Sequence, residues 1–175
     1  MVQNKPEEFL YDLERVFHFS VKEARSMRRR FHEEMRLGLA GKPSSLKMLP
    51  AFVDRATGEE RGRFIALDLG GTNFRVMSVN LGGRGRARVL RTGRFAIPKS
   101  VTTGSGARLF DFIARSIRSF IGKRGARMDR EMPLGFTFSF PVDQTGTASG
   151  TLVNWTKGFS ASGIVGKDVV TMLSE

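Results

Sequence analysis

The sequence predicts an α/β fold in which a mixed sheet with flanking helices follows an N-terminal helical segment. Three observations predict it. Apolar residues recur at helical spacing before Gly41 and again from Leu109 to Ile121. Three apolar-rich runs after Gly62 are joined by short Gly-containing turns, which reads as consecutive hairpins. Phe136, Phe138 and Phe140 alternate with Thr137 and Ser139, the period of a strand. Hairpin-linked strands followed by a helix and another strand make a mixed sheet, because a purely parallel one needs a crossover at every step. The boundaries expected are a helical leader and connector over 1–61 and the α/β domain over 62–175.

Taken in order, Pro6 with Glu7 and Glu8 opens a first helix whose apolar stripe is Phe9, Leu10, Leu13, Val16 and Phe17. Ser20-x-x-Glu23 is a capping box, so a second helix starts there, carries Ala24, Met27, Phe31 and Met35 on one face, and ends near Gly38 or Gly41. Pro43, Pro50 and Gly58 break any long period over 43–62, leaving a connector whose Leu46, Met48, Leu49 and Phe52 pack it down. Strands are expected over 63–69, 74–81, 86–97 and 133–140, with a turn at Gly82-Gly83 and a helix over 106–121. That helix turns Leu109, Phe110, Ile113, Ile117, Phe120 and Ile121 to one side, and Gly122 is placed to close it in a left-handed cap. The three Phe of the last strand are expected in the core, and Trp155 is expected to serve packing before ligand stacking.

Composition narrows the function classes. At 175 residues with 40% hydrophobic content the chain can bury one sizeable core, and no run approaches a membrane span. With no Cys there are no disulfides or thiolates, and two His are too few for most metal sites, so a cytoplasmic enzyme fits. The net charge of +12 is concentrated after Gly62, since up to there 12 basic residues face 10 acidic ones. Arg84, Arg86, Arg88, Arg91 and Arg94 fall on one expected hairpin. The first four have no aromatic residue interleaved to stack bases, so a solvated basic edge is favoured over a nucleic-acid surface.

Arg63 to Val76 reads as strand, Gly-Gly turn, strand, with one acid at the bend. Asp68 reaches the end of a buried run, where ionisation needs a cation or donors. Gly70 and Gly71 let the backbone approach a ligand, with N–H groups facing an anion; Thr72 and Asn73 add side-chain donors and Arg75 a permanent charge. An ordinary Gly-Gly hairpin fits this stretch as well. The P-loop pattern is absent, Gly70-Gly71-Thr72-Asn73 is not G-x-G-x-x-G, and Gly104-Ser105-Gly106 lacks the third Gly, where Leu109 stands. Ser139 precedes a strand-stopping Pro141, which presents it at the sheet end where open α/β sheets gather ligands; Thr156 and Lys157 add directional donors beside Trp155, as a polyhydroxylated ligand requires.

Leu134-Gly-Phe-Thr-Phe-Ser-Phe-Pro141, followed by Trp155-Thr-Lys-Gly-Phe159, resembles the sugar-binding signature of the eukaryotic-type hexokinases, and the Asp68 stretch resembles that family's first phosphate motif, in the same order. The element order is similar to the ribonuclease-H-like unit shared by actin, Hsp70 and sugar kinases. The resemblance implies a small-lobe domain over 62–175 and ATP-dependent phosphorylation of a hexose at its 6-hydroxyl, with glucose, fructose or mannose as substrate and ATP and Mg²⁺ as cofactors. It implies that Ser139, Phe140, Pro141, Thr156 and Lys157 hold the sugar. Asp68, Gly70, Gly71, Thr72, Asn73 and Arg75 would hold the nucleotide phosphates, with Asp68 reaching Mg²⁺ through water. Thr147 and Ala148 depart from the family's pattern, which has an aliphatic and a small polar residue there. The family's proton-accepting Asp lies in an Asn-Asp-Thr motif after the helix begun by Lys167-Asp168-Val169-Val170. That position falls beyond Glu175, so no catalytic residue is assigned and a truncated form, inactive alone, is expected. A sugar-binding module without chemistry is the alternative.

Overall fold

The computed structural model describes residues 5–53, 55–122 and 132–175. They fall into two compact units, Met1–Met48 and Leu49–Glu175. The first carries helices α1 (Lys5–Phe17) and α2 (Val21–Leu39). At the start of α2 the capping box forms: Ser20 Oγ accepts from the Glu23 N–H at 3.2 Å, and the Glu23 carboxylate accepts from the Ser20 N–H at 2.8 Å. Beyond its C-cap Ala40, Gly41 turns left-handed at φ 66°. The Gly41 and Lys42 N–H groups then donate to the Gly38 and Leu37 carbonyls, a Schellman closure. Glu34 fastens the chain that follows, accepting from the Ser45 N–H at 2.6 Å and from the Ser44 and Ser45 hydroxyls. Those bonds, led by the Ser45 N–H, lower its carboxyl below the ordinary range. The apolar stripe of α1 is exposed, with Val16 and Phe17 both at 76%.

The second unit is built on a four-stranded sheet in the order β3-β2-β1-β4, made of β1 (Arg61–Leu69), β2 (Asn73–Gly82), β3 (Ala87–Ala96) and β4 (Leu134–Phe138). β2 runs antiparallel to β1 and β3, while β4 joins β1 in parallel, so the sheet is mixed. Its register assigns the faces. Ile65, Leu67 and Leu69 of β1 and Phe74 and Val76 of β2 point to one side and are buried. That side is covered by α4 (Gly106–Gly122), which brings Leu109, Phe110, Ile113 and Phe120 to the same core. Gly106 lets the helix start close in: a Cβ there would lie 2.5 Å from Ile164. Gly122 ends α4 without the left-handed φ expected of it, because it is still part of the helix.

The basic hairpin does not present one face. Arg91 lies with its guanidinium 4.4 Å above the Phe120 ring on the core side, while Arg86 bends back to the Gly82 and Gly83 carbonyls at 3.4 Å. Around the turn Gly83, Arg84 and Gly85 are all left-handed, more than the Gly-Gly pair alone suggested.

Three elements were not read from the sequence. A short helix, α3 (Lys99–Thr102), precedes α4, and a hairpin of β5 (Val142–Gly146) and β6 (Ser149–Leu152) follows β4. Asp143 lies on β5, and Thr147 and Ala148 form the turn between strands, where a change of side chain disturbs little packing. The helix expected at Asp168 is α5 (Val169–Ser174), with Asp168 as its N-cap. β4 lies at the sheet edge, which leaves Phe136 and Phe138 only half-buried. They pack against the core, as expected, and on their open side line a cavity of about 410 Å³ with Pro141, Val169, Val170 and Leu173.

Candidate active site

Asp68 stands one residue before the end of β1, on the face opposite the core. Cross-strand register sets it beside Arg75, whose guanidinium meets its carboxylate at 2.9 Å. Both are partly exposed, at 25% for the Asp68 side chain and 45% for Arg75, so solvent screens the pair and a competing ligand can reach it. The turn that follows is tight: the Gly70 N–H donates to the Asn73 carbonyl at 3.0 Å. Asn73 Nδ2 donates to Thr72 Oγ1 at 3.0 Å, and both residues are exposed, so a hydroxyl, an amide and the turn's backbone face solvent together.

Neither Gly70 nor Gly71 takes a left-handed φ, so backbone conformation is not why they are glycines. Proximity explains Gly71. A Cβ there would sit 3.2 Å from Lys157 Cβ and 3.5 Å from its Cδ. The stem of Lys157 therefore lies on the turn.

Lys157 is itself unusual, a non-glycine residue at φ 54° followed by Gly158 at 77°. The Phe159 N–H donates to the Thr156 carbonyl at 3.1 Å across them, closing a turn in which both central residues are left-handed. A strained lysine is held in this way above the Phe140 ring, with Nζ 5.6 Å from the centroid. Underneath is an aromatic floor. Trp155 meets Phe140 edge-on at 4.8 Å and Phe159 at 5.3 Å, and its Nε1 donates to the Ala161 carbonyl at 2.7 Å. Trp155 thus packs, as expected. Ser139 continues β4 by donating its N–H to the Leu69 carbonyl at 3.3 Å, which fixes it next to the end of β1.

Asp68, the turn from Gly70 to Asn73, Arg75 and Ser139 lie at one end of the four-stranded sheet, and the loop that carries Thr156 and Lys157 meets that end at Gly71. Phe140 is buried, so it supports Lys157 from below, and Pro141 is half-buried and turned to the cavity already described. Two residues join the row from strand register: Thr137 on β4 is the neighbour of Asp68, and Arg94 on β3 is the neighbour of Arg75. The alternation of Thr137 with the Phe residues placed it off the aromatic face, but nothing local in sequence shows which strand it lies against.

Among the described residues of this unit, several other acids are engaged elsewhere: Asp111 pairs with Arg115 and Glu60 accepts from the Thr57 and Gly58 N–H groups. Asp168 accepts from the Gly150 N–H at 2.8 Å and from the Val170 and Thr171 N–H groups, and these bonds, led by Thr171 and then Gly150, hold its carboxyl below the ordinary carboxylate range. No cluster of three or more His, Cys, Asp or Glu side chains able to hold a metal occurs among the described residues. No described helix is long and apolar enough to cross a membrane.

The hexokinase family model matches residues 10–175. Hexokinase-2 of Oryza sativa subsp. japonica is 52% identical over 149 residues, which cover 81% of this chain and 30% of that protein. The hexokinase of Schistosoma mansoni is 42% identical over 170 residues, 95% of this chain and 38% of the relative. The solved structure of the Schistosoma mansoni enzyme complexed with glucose superposes with a TM-score of 0.79, covering 95% of this chain and 38% of that one. A second hexokinase crystal structure gives 0.70 at 31% identity. The chain thus spans between 30% and 38% of the length of these curated relatives. A match of this extent, carried by a mixed sheet that has Asp68 and Lys157 at one end, makes the chain a member of the hexokinase family.

Proposed function

We propose that this chain supplies the phosphate-binding and part of the sugar-binding surface of a cytoplasmic ATP-dependent hexokinase, which phosphorylates glucose, or fructose or mannose, at the 6-hydroxyl. Ser139, Thr156 and Lys157 are the sugar donors, on a floor of Phe140, Pro141 and Trp155. Asp68, Gly70, Gly71, Thr72, Asn73 and Arg75 form the phosphate end. One observation supports the proposal: the stem of Lys157 rests on Gly71, which brings the expected sugar contact and the expected phosphate turn together.

The residues fit nucleotide and metal on chemical grounds. The turn's N–H groups, Thr72 Oγ1 and the Asn73 amide are donors for phosphate oxygens, and Arg75 neutralises charge. Asp68 is a lone carboxylate, which suits Mg²⁺ because that ion keeps most of its waters and is completed by substrate phosphates. Held there, Mg²⁺ would supply positive charge that stabilises the phosphate oxygens. Asp68 is paired with Arg75 and Asp168 is saturated by backbone N–H groups, so neither serves as the base for the sugar hydroxyl.

The lone Trp155 gives a direct test. Titration of the purified chain with glucose should change its emission saturably, and Ser139→Ala or Lys157→Ala should weaken binding roughly tenfold each, as loss of a directional hydrogen bond does. MgATP should bind the same protein and lose affinity in Asp68→Ala. Glucose binding without any MgATP binding would identify a sugar-binding module, and binding of neither would remove the proposal.

A further inference from the structure

The sheet face that carries Asp68 also carries Arg94, and strand register makes this a continuous row: Thr137, Asp68, Arg75, Arg94, one residue from each of four adjacent strands. Directly opposed residues of antiparallel strands share a face, so the two arginines lie side by side. Like charges so placed repel unless something negative sits between or above them. Asp68 compensates only one, since its carboxylate is held by Arg75 at 2.9 Å. Among the described residues Arg94 makes no hydrogen bond or ion pair, whereas Arg91 covers Phe120, Arg86 binds turn carbonyls and Arg115 pairs with Asp111 at 2.9 Å. The end of β3 is also tied to the phosphate turn, because the Ile97 N–H donates to the Thr72 carbonyl at 3.1 Å.

We propose that Arg94 is a second cationic contact for the terminal phosphates of the nucleotide, acting beside Arg75 from the neighbouring strand. This rests on the phosphate-end reading of Asp68 and its turn. The division of labour follows from charge. Arg75 spends its guanidinium on orienting Asp68, which leaves the row with one uncompensated positive charge at Arg94. A polyphosphate on the exposed turn would be the partner that the row lacks. Arg94 forms no part of the sugar contacts, so its effect should be confined to the anion.

The test is calorimetric titration of the full chain with MgATP, at about 0.05 and 0.2 M salt. Arg94→Gln should weaken binding roughly tenfold and flatten its salt dependence, while Arg94→Lys recovers part of the loss. Arg88→Gln, on the same strand but opposite Asn80, should bind like the wild type. Glucose binding should be unchanged in all three. Because Arg94→Gln removes a like-charge pair, its thermal midpoint should equal or exceed that of the wild type, which guards against misfolding as the explanation. If Arg94→Gln binds MgATP as the wild type does, or loses no more than Arg88→Gln, the assignment of Arg94 is overturned while Asp68 stands. A wild type that binds glucose but not MgATP removes the phosphate end and Arg94 with it.

Discussion

Asp168 ties the start of α5 to β6 through its side chain, beside the backbone bonds that Leu152 makes with Gly166 and Lys167, and its removal should be felt in both elements. One carboxylate oxygen accepts from the N–H groups of Val170 and Thr171 at 2.8 and 3.0 Å; the other accepts from Gly150 on β6 at 2.8 Å. Asp168→Ala removes an N-cap, worth about 1 kcal/mol, and strands the N–H of buried Gly150, worth about 1–3 kcal/mol. The sum, about 2–4 kcal/mol, is a large part of a typical domain's stability and should lower the thermal midpoint by roughly 5–15 °C. Urea denaturation followed through Trp155 measures it. Asp168→Asn should fall between, because its amide can satisfy only one side and turns N–H groups towards N–H groups on the other. The acid limb adds a second reading. A carboxyl whose folded pKa is lowered from its unfolded value contributes stability that is present above the unfolded value and lost as pH falls through the folded one. The wild type should therefore weaken below about pH 4, and Asp168→Ala should show a shallower acid limb. An Asp168→Ala protein within about 0.5 kcal/mol of the wild type, the range of ordinary surface changes, would refute the double anchorage.

Two other outcomes are expected. At Lys157 the left-handed φ of 54° penalises any residue with a Cβ, so Lys157→Gly should be more stable than Lys157→Ala by about 1 kcal/mol, although both lose the proposed sugar contact; equal denaturation midpoints would mean the turn relaxes freely. Ile113 is fully buried between α4 and the sheet, so Ile113→Ala should cost about 2–5 kcal/mol by denaturant titration, against a change within about 0.5 kcal/mol for Val165→Ala at an exposed site.

Much of the second unit was legible because its information is local. Period-2 alternation and Gly-bearing turns located β1 to β4 to within a few residues, helical spacing located α4, and Ser20-x-x-Glu23 located the start of α2. The β5-β6 hairpin was missed because its strands are short: β5 has no fully buried residue and β6 buries only Gly150 and Leu152, which leaves little apolar alternation to detect. Gly70 and Gly71 were recognised as special, but with an incomplete reason. Their φ values are unremarkable, and Gly71 matters for a lysine 86 positions later in the chain, a contact no turn rule can reveal.

By itself the sequence determined which residues are candidates for the chemistry: a carboxylate and donors on one Gly-Gly turn, hydroxyls and an ammonium beside an aromatic cluster, and caps where helices begin. Residue type and short-range spacing suffice for that, because hydrogen-bonding capacity and backbone preference belong to the residues themselves. Only the tertiary structure decided what lies beside what. Strand register put Arg75 against Asp68, Thr137 on one side and Arg94 on the other, and a left-handed turn laid Lys157 on Gly71. Those neighbours come from different strands, and pairing between strands is settled by burial of the whole sheet face against α4, a property of the assembled chain and of no segment within it.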